Sequence, residues 1–182
     1  MRKPDRNIGE SLYHLLKSLL GDEGAESHRK QKRTQIVAKN DQADGYIARV
    51  LLVEDNPINQ VVASEMLAQL RCDVVITSSG LEACVIFQED SFDLVFMDCQ
   101  MPVMDGYQAT VKIREWELDN QVKPTPIVAL TANALSGDRE KCLEAGMTDY
   151  STKPFTMAAL EAALMANLAD AQAVRAGSSV NQ

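Results

Sequence analysis

Short apolar runs alternate with longer segments of mixed polarity from residue 49 onward. The apolar runs have the length of β-strands and lie at Val50–Val53, Val74–Ile76, Leu94–Met97, Ile127–Leu130 and Met147–Ser151. The segments after them have the apolar spacing of helices and span Pro57–Leu70, Gly80–Gln88, Gly106–Leu118, Leu135–Ala145 and Thr156–Leu168. This α/β alternation, repeated five times, predicts a doubly wound parallel sheet of five strands with helices on both faces.

Residues at the segment boundaries agree with this division. Asn56 followed by Pro57 is typical of a helix N-terminus, because asparagine caps the first N–H groups and proline suits the first turn. Gly146 lies where the fourth helix is expected to end, and glycine is the usual residue of a left-handed helix cap.

The chain before residue 49 has a different pattern. Leucines between positions 12 and 20 form one apolar stripe of a short amphipathic helix, and a polar stretch follows them. We therefore expect residues 1–48 to be an N-terminal helix with a polar linker, residues 49–170 to be the folded domain, and residues 171–182 to be a C-terminal tail.

Composition narrows the class of protein. The 182 residues are 46% hydrophobic and 24% charged, as in a globular chain, and no stretch reaches the roughly 18 apolar residues of a membrane span. Four cysteines without metal-ligand spacing predict reduced thiols and a cytoplasmic location. Residues 49–182 hold 9 Lys or Arg against 19 Asp or Glu, and this acidic balance disfavours nucleic acid as a partner.

Charged and polar residues follow four of the predicted strands. Glu54 and Asp55 end the first strand, Asp98 ends the third, Thr131 ends the fourth, and Lys153 follows the fifth. Ligands of open parallel sheets bind at the carboxyl ends of the strands. If the first, third, fourth and fifth strands are neighbours, these five side chains share one edge.

The chemistry of this edge points to a metal ion and a phosphoryl group. Three close carboxylates repel one another, and a hard divalent cation such as Mg²⁺ relieves that repulsion. A carboxylate can act as nucleophile, while the Lys153 ammonium and the Thr131 hydroxyl can bind the oxygens of an anionic group. The set is therefore suited to phosphoryl transfer.

Each of these residues also has an ordinary structural interpretation. An aspartate after a strand usually caps a turn or a helix, Thr131 is a suitable helix N-cap, and a lysine before a proline is usually solvated. The joint placement of five such residues at four strand ends favours a functional site over five separate coincidences.

Four stretches in this region carry a family resemblance. VLLVEDNPINQVVA, DLVFMDCQMPVMDG, PIVALTANA and TKPF occur in this order between residues 50 and 155. They resemble the motifs of response-regulator receiver domains of two-component signalling, over about two-thirds of the chain. The residues of the first two stretches are similar to those of receivers in hybrid sensor histidine kinases. The resemblance implies a flavodoxin-like fold with strand order 2-1-3-4-5.

The resemblance also implies a metal site and a phosphoacceptor. Asp98 would accept the phosphoryl group, and Glu54, Asp55 and Asp98 would hold Mg²⁺ together with the main-chain carbonyl of Gln100. Many family members have Asp-Asp where this chain has Glu-Asp, and we expect the longer arm of glutamate still to reach the ion.

Three further residues have roles implied by the resemblance. Lys153 would pair with the phosphoryl group and be aimed inward by a cis bond to Pro154. Thr131 would be the switch hydroxyl, and Tyr150 would be the aromatic side chain whose rotamer follows the switch.

The partners implied are proteins. The phosphoryl group would come from a histidine kinase or a histidine phosphotransfer protein in a phosphorelay. The output would be contact with a downstream protein, or with a second copy of the chain in a homodimer, through the face made by the fourth helix, the fifth strand and the fifth helix. Beyond phosphotransfer to itself and slow autodephosphorylation, no enzymatic activity is expected.

One alternative function belongs to a different class. A Mg²⁺-dependent phosphohydrolase can also use an aspartyl nucleophile, but enzymes of the haloacid-dehalogenase type place a second aspartate two residues after the first. Gln100 occupies that position here, which disfavours this alternative.

Overall fold

The computed structural model describes residues 46–132 and 136–177, in which five strands alternate with five helices. The strands are β1 (Ala48–Val53), β2 (Cys72–Thr77), β3 (Leu94–Asp98), β4 (Ile127–Thr131) and β5 (Asp149–Thr152). The helices are α1 (Pro57–Gln69), α2 (Gly80–Glu89), α3 (Gly106–Asp119), α4 (Ser136–Glu144) and α5 (Met157–Gly177).

The strands form one parallel sheet in the order β2-β1-β3-β4-β5, which confirms the expected fold. Val53 at the end of β1 pairs with Met97 of β3, and Asp98 pairs with Leu130 of β4. Because the strands are parallel and in this register, Glu54, Asp98 and Thr131 emerge at the same edge of the sheet.

Helices cover both faces of the sheet, so the central strands are buried on both sides. Leu51 and Val53 of β1 pack into a cluster with residues of α2, α3 and α4. Val50 and Leu52 face the other way and pack with residues of α1 and α5. This two-sided burial explains why the strand sequences are continuous apolar runs without alternation.

The helix ends follow the expected rules where the sequence signal was clear. Asn56 caps α1, because its side chain accepts a hydrogen bond of 2.9 Å from the Ile58 N–H. Gly146 has φ of +90° after α4, and the Met147 N–H donates to the Cys142 carbonyl at 2.9 Å. The Lys153–Pro154 peptide bond is cis, as the family resemblance implied.

Some boundaries differ from the prediction. β2 is longer than the Val74–Ile76 run, β5 begins at Asp149 instead of Met147, and α5 continues to Gly177, past the predicted end at Leu168 and into the expected tail. The predicted helix and linker of residues 1–48 lie outside the described residues, apart from residues 46–48. Over the ranges described, no helix has the length and apolarity needed to cross a membrane.

Candidate functional site

Three carboxylates meet at the carboxyl edge of the sheet. One oxygen from each of Glu54, Asp55 and Asp98 lies within 4.8 Å of the others. β1 delivers the first two and β3 delivers the third, because these strands are direct neighbours in the sheet. The structure therefore brings together the acidic residues that the sequence placed at separate strand ends.

Asp98 is the last residue of β3 and is only 4% exposed. Its Oδ1 accepts a hydrogen bond of 3.0 Å from the Gln100 N–H, and its Oδ2 accepts one of 2.6 Å from Lys153 Nζ. A carboxylate that is buried to this extent is costly unless it is paired, and Lys153 supplies the pairing charge across the sheet edge.

Lys153 also contacts a second carboxylate. Its Nζ lies 2.6 Å from Glu54 Oε2, as an ion pair that lacks the angle of a good hydrogen bond. Burial of the amine lowers the pKa of Lys153, but the contacts with Asp98 and Glu54 outweigh burial, and the net effect raises this pKa above its ordinary value. Lys153 is therefore held in the charged form between two acids.

Glu54 is completely buried, and it is held by more than Lys153. Its Oε1 accepts a hydrogen bond of 2.8 Å from Asn59 Nδ2 and a longer one of 3.4 Å from the Asn56 N–H. Its main-chain carbonyl accepts one of 2.6 Å from Gln60 Nε2. Asn59 and Gln60 were not predicted as site residues from the sequence. Their position on the first turn of α1, just after Glu54 and Asp55, is the feature that could have indicated them.

Gly106 allows two backbone segments to meet directly behind Asp98. A Cβ atom at position 106 would lie 2.1 Å from the Asp98 carbonyl oxygen, well inside van der Waals contact. The Gly106 N–H donates to the Cys99 carbonyl at 3.3 Å. Glycine is needed here because of this close approach, and the positive φ that glycine favours is found instead at Val103, with φ of 69° in the same loop.

Thr131 ends β4 at the same edge of the sheet, whereas Tyr150 lies two residues before the end of β5. Thr131 is buried and follows the Leu130 that pairs with Asp98, and its carbonyl accepts a hydrogen bond of 2.8 Å from the Lys153 N–H. Tyr150 pairs with Ala129 and is 37% exposed. A backbone link thus joins the strand end that carries Thr131 to the segment that carries Lys153.

All four cysteines are buried and unbridged. Cys99, directly after β3, packs into the cluster on the α2 and α3 side of the sheet. Burial is the main reason that its pKa rises to about 12. A thiol of this kind is a poor nucleophile at neutral pH, so Cys99 is not suited to nucleophilic chemistry at this strand end.

The donor set fits a small, hard divalent cation. The three converging groups all offer carboxylate oxygens, which Mg²⁺ prefers. Asp55 is exposed, so the cluster is open to solvent on one side, where an ion could keep several of its waters. Glu54 Oε2 is buried and already faces a cationic group, the Lys153 ammonium at 2.6 Å, so positive charge suits this position.

Comparisons with a family model, with curated proteins and with solved structures all indicate the same family. The family model of the response regulator receiver domain matches residues 50–165. Sensor protein GacS of Pseudomonas syringae pv. syringae is 45% identical over 108 residues, which are 59% of this chain and 12% of that protein. The chain thus corresponds to only a small part of this curated relative.

Two solved structures are similar in sequence and in fold. The receiver domain of the sensor histidine kinase PA1611 from Pseudomonas aeruginosa PAO1, which holds a magnesium ion in its active site cleft, is 47% identical with a TM-score of 0.60 over 67% of this chain and 98% of its own. The second structure contains the receiver domain of Ssk1, crystallised with the histidine phosphotransfer protein Ypd1 of Saccharomyces cerevisiae. It is 38% identical with a TM-score of 0.60 over 62% of this chain and 83% of its own. The chain therefore belongs to the response regulator receiver domain family.

Proposed function

We propose that Asp98 accepts a phosphoryl group from a phosphohistidine of another protein, and that the phosphorylated chain then changes its contacts with a partner. The observation that carries this proposal is the position of Asp98, which lies at a strand end between two other carboxylates and a lysine. Mg²⁺, when bound by Glu54, Asp55 and Asp98 with the Gln100 carbonyl, would offset the negative charge that approaches with the phosphoryl group.

In the transfer step, an Asp98 carboxylate oxygen bonds to phosphorus as the phosphorus–nitrogen bond of the donor breaks. The donor imidazole keeps the electron pair and takes up a proton from water. Lys153 already contacts Asp98 Oδ2 at 2.6 Å, so it is placed to pair with an oxygen of the incoming group. Its fixed positive charge favours the state in which that site is most negative.

The response to phosphorylation would pass through Thr131 and Tyr150. A phosphoryl group brings about −1.5 to −2 charge and three acceptor oxygens, and the Thr131 hydroxyl would move to donate to one of them. Thr131 is buried, and packed interiors rearrange in discrete steps. We infer that Tyr150, now partly exposed on the adjacent strand, would turn into the space that Thr131 vacates.

The downstream partner would bind the face formed by α4, β5 and α5. Each of these elements carries an exposed apolar side chain: Leu143 on α4, Tyr150 on β5 and Met165 on α5. Exposed apolar groups at the element that carries the switch suit a contact that phosphorylation regulates. A second copy of the chain is a candidate for this contact, as is a different protein.

The phosphodonor would be a histidine kinase or a histidine phosphotransfer protein. The similarity to the receiver of Ssk1, crystallised with Ypd1, supports a donor of the second kind. The buried free thiols suit a reducing compartment, which supports a cytoplasmic location. Gln100 in place of a second aspartate, together with the family match, disfavours the phosphohydrolase alternative.

Labelling by a small phosphodonor tests this proposal directly. With acetyl phosphate and Mg²⁺, we expect the intact mass to increase by one phosphoryl group, and Asp98→Asn to prevent the increase because the nucleophile is lost. Asp105→Asn is the matched control, because Asp105 lies in the same loop but caps α3 through the Gln108 N–H. Labelling of the Asp98→Asn protein to the wild-type level would exclude Asp98 as the acceptor.

A further inference from the structure

The carboxylate of Glu54 has an anchor that the proposed function does not use. Asn59 Nδ2 donates to Glu54 Oε1 at 2.8 Å, a hydrogen bond of good length between a helix side chain and a fully buried acid. Asn59 itself is only half-buried, so it is not a core residue. The Asn59 amide therefore helps to hold the buried Glu54 carboxylate in place, in addition to being partly solvated.

The two oxygens of the Glu54 carboxylate contact different parts of the structure. Oε1 takes the N–H groups of Asn59 and Asn56 on the α1 side. Oε2 faces Lys153, whose ammonium also contacts Asp98 of the acidic cluster. A hydrogen bond to a charged acceptor is about twice as strong as a neutral one, so the amide of Asn59 fixes which oxygen faces the acidic cluster.

The length of the glutamate arm makes such an anchor necessary. Glutamate has one more rotatable bond than aspartate, and each free rotor that must be ordered on binding costs free energy. Glu54 begins from the end of β1, where its N–H is already bonded to the Thr77 carbonyl at 3.1 Å. The backbone is therefore fixed, and the freedom that remains is that of the side chain which Asn59 holds.

We propose that Asn59 is a positioning residue that sets the affinity of the acidic cluster for Mg²⁺ by fixing the Glu54 carboxylate. Asn59 itself does not touch the ion. It orients a ligand, as partners of metal ligands commonly do, and removing such a partner typically weakens metal affinity about 10- to 100-fold. The inference rests on the proposed function, in which Mg²⁺ occupies this cluster.

Gln60 provides a matched control on the same helix turn. Its Nε2 donates to the Glu54 main-chain carbonyl at 2.6 Å. Gln60→Ala therefore removes a side-chain amide that contacts the same residue but leaves the carboxylate contacts intact. A general effect of weakening the start of α1 would appear in both alanine variants, whereas an effect through the carboxylate would appear only at position 59.

The test is a double-mutant cycle with Mg²⁺ dissociation constants measured by titration calorimetry on the metal-free chain. We expect Asn59→Ala to weaken binding about tenfold, and Asn59→Leu, which keeps the volume but has no donor, to do the same. Gln60→Ala should stay within about twofold. In a Glu54→Asp background the shorter arm no longer reaches the amide, so adding Asn59→Ala should change the dissociation constant little, and the two substitutions should not be additive.

Two outcomes would overturn the inference alone, and a third would also refute the metal site of the proposed function. Wild-type affinity in both Asn59 variants would overturn the inference while leaving the metal site intact. The same loss in the Glu54→Asp background would also overturn it, because Asn59 would then act through something other than the Glu54 carboxylate. A wild-type chain that binds no Mg²⁺ would refute the metal site of the proposed function, and the inference with it.

Discussion

Replacing Lys153 with methionine removes the cation that faces two buried acids. Lys153 Nζ lies 2.6 Å from both Glu54 Oε2 and Asp98 Oδ2, and these residues are 0% and 4% exposed. Methionine keeps the approximate length of the side chain and its apolar stem. The substitution therefore tests the charge of Lys153 with little change in packing.

The expected loss of stability follows from these distances. At an effective dielectric constant of about 20, two unit charges 2.6 Å apart attract by about 6 kcal/mol. The cost of removing the ions from water offsets much of this, and measured losses on breaking one partner of a buried pair are about 3–5 kcal/mol. Because the Lys153 side chain is 19% exposed, we expect the lower end, a decrease of about 3 kcal/mol in the free energy of unfolding without metal.

Mg²⁺ should reverse much of this loss. A divalent cation at the acidic cluster offsets the same charges that Lys153 offset, and ligands that bind only the folded state stabilise it by mass action. We expect saturating Mg²⁺ to reduce the difference between Lys153→Met and wild type by more than about 1 kcal/mol. The increase in Tm caused by Mg²⁺ should accordingly be larger in the variant.

The assay is urea denaturation with EDTA and again with excess Mg²⁺. Lys153→Arg keeps the charge and should lose less stability than Lys153→Met. Lys112→Met makes the same chemical change at an exposed position on α3 and should stay within about 0.5 kcal/mol of wild type. A loss below about 1 kcal/mol in EDTA, or an equal loss in both buffers, would refute the argument that Lys153 holds the buried acids by its charge.

Three further predictions concern other parts of the site. Asp55→Asn should raise the Tm of the metal-free chain, because it relieves repulsion among three carboxylates without breaking a contact of Lys153. Combining it with Glu54→Gln should abolish the increase in Tm caused by Mg²⁺, and a retained increase would place the metal elsewhere. Thr131→Ala should still be labelled at Asp98 but lose the difference in partner affinity between phosphorylated and unphosphorylated chains, measured by calorimetry, and an unchanged difference would argue against coupling through this hydroxyl. Gly106→Ala should lower the free energy of unfolding in urea by at least about 2 kcal/mol, because its Cβ would lie 2.1 Å from the Asp98 carbonyl oxygen, and wild-type stability would contradict this packing.

The local pattern of the chain was sufficient for the elements and for most of the acidic site. Apolar runs of strand length, helical spacing and two cap signals predicted the alternation of strands and helices, because these signals arise from neighbours in the sequence. The placement of Glu54, Asp55 and Asp98 at one edge followed from a general property of parallel sheets, whose carboxyl ends point the same way. The structure confirms that these three carboxylates converge.

The boundaries that were misplaced depend on contacts distant in sequence. β2 is extended to Cys72–Thr77 because it pairs along its full length with β1. α1 ends before Arg71, whose φ of 61° is a left-handed cap at a residue other than glycine. Sequence rules favour glycine or asparagine at such a position, so the local pattern did not indicate this cap, although the predicted end at Leu70 agrees with the observed cap residue.

The contacts that hold the site together were decided by the tertiary structure. Lys153 meets Glu54 and Asp98 from a distant segment of the chain, and no local signal reveals that one ammonium group serves both acids. Gly106 is required by the approach of another backbone segment, which its own sequence neighbours do not indicate. Asn59 is close to Glu54 in sequence, but its amide reaches the carboxylate only because α1 leaves β1 at the angle set by packing on the sheet. Side-chain pairing of this kind depends on directions in space, whereas a sequence pattern specifies only spacing along the chain.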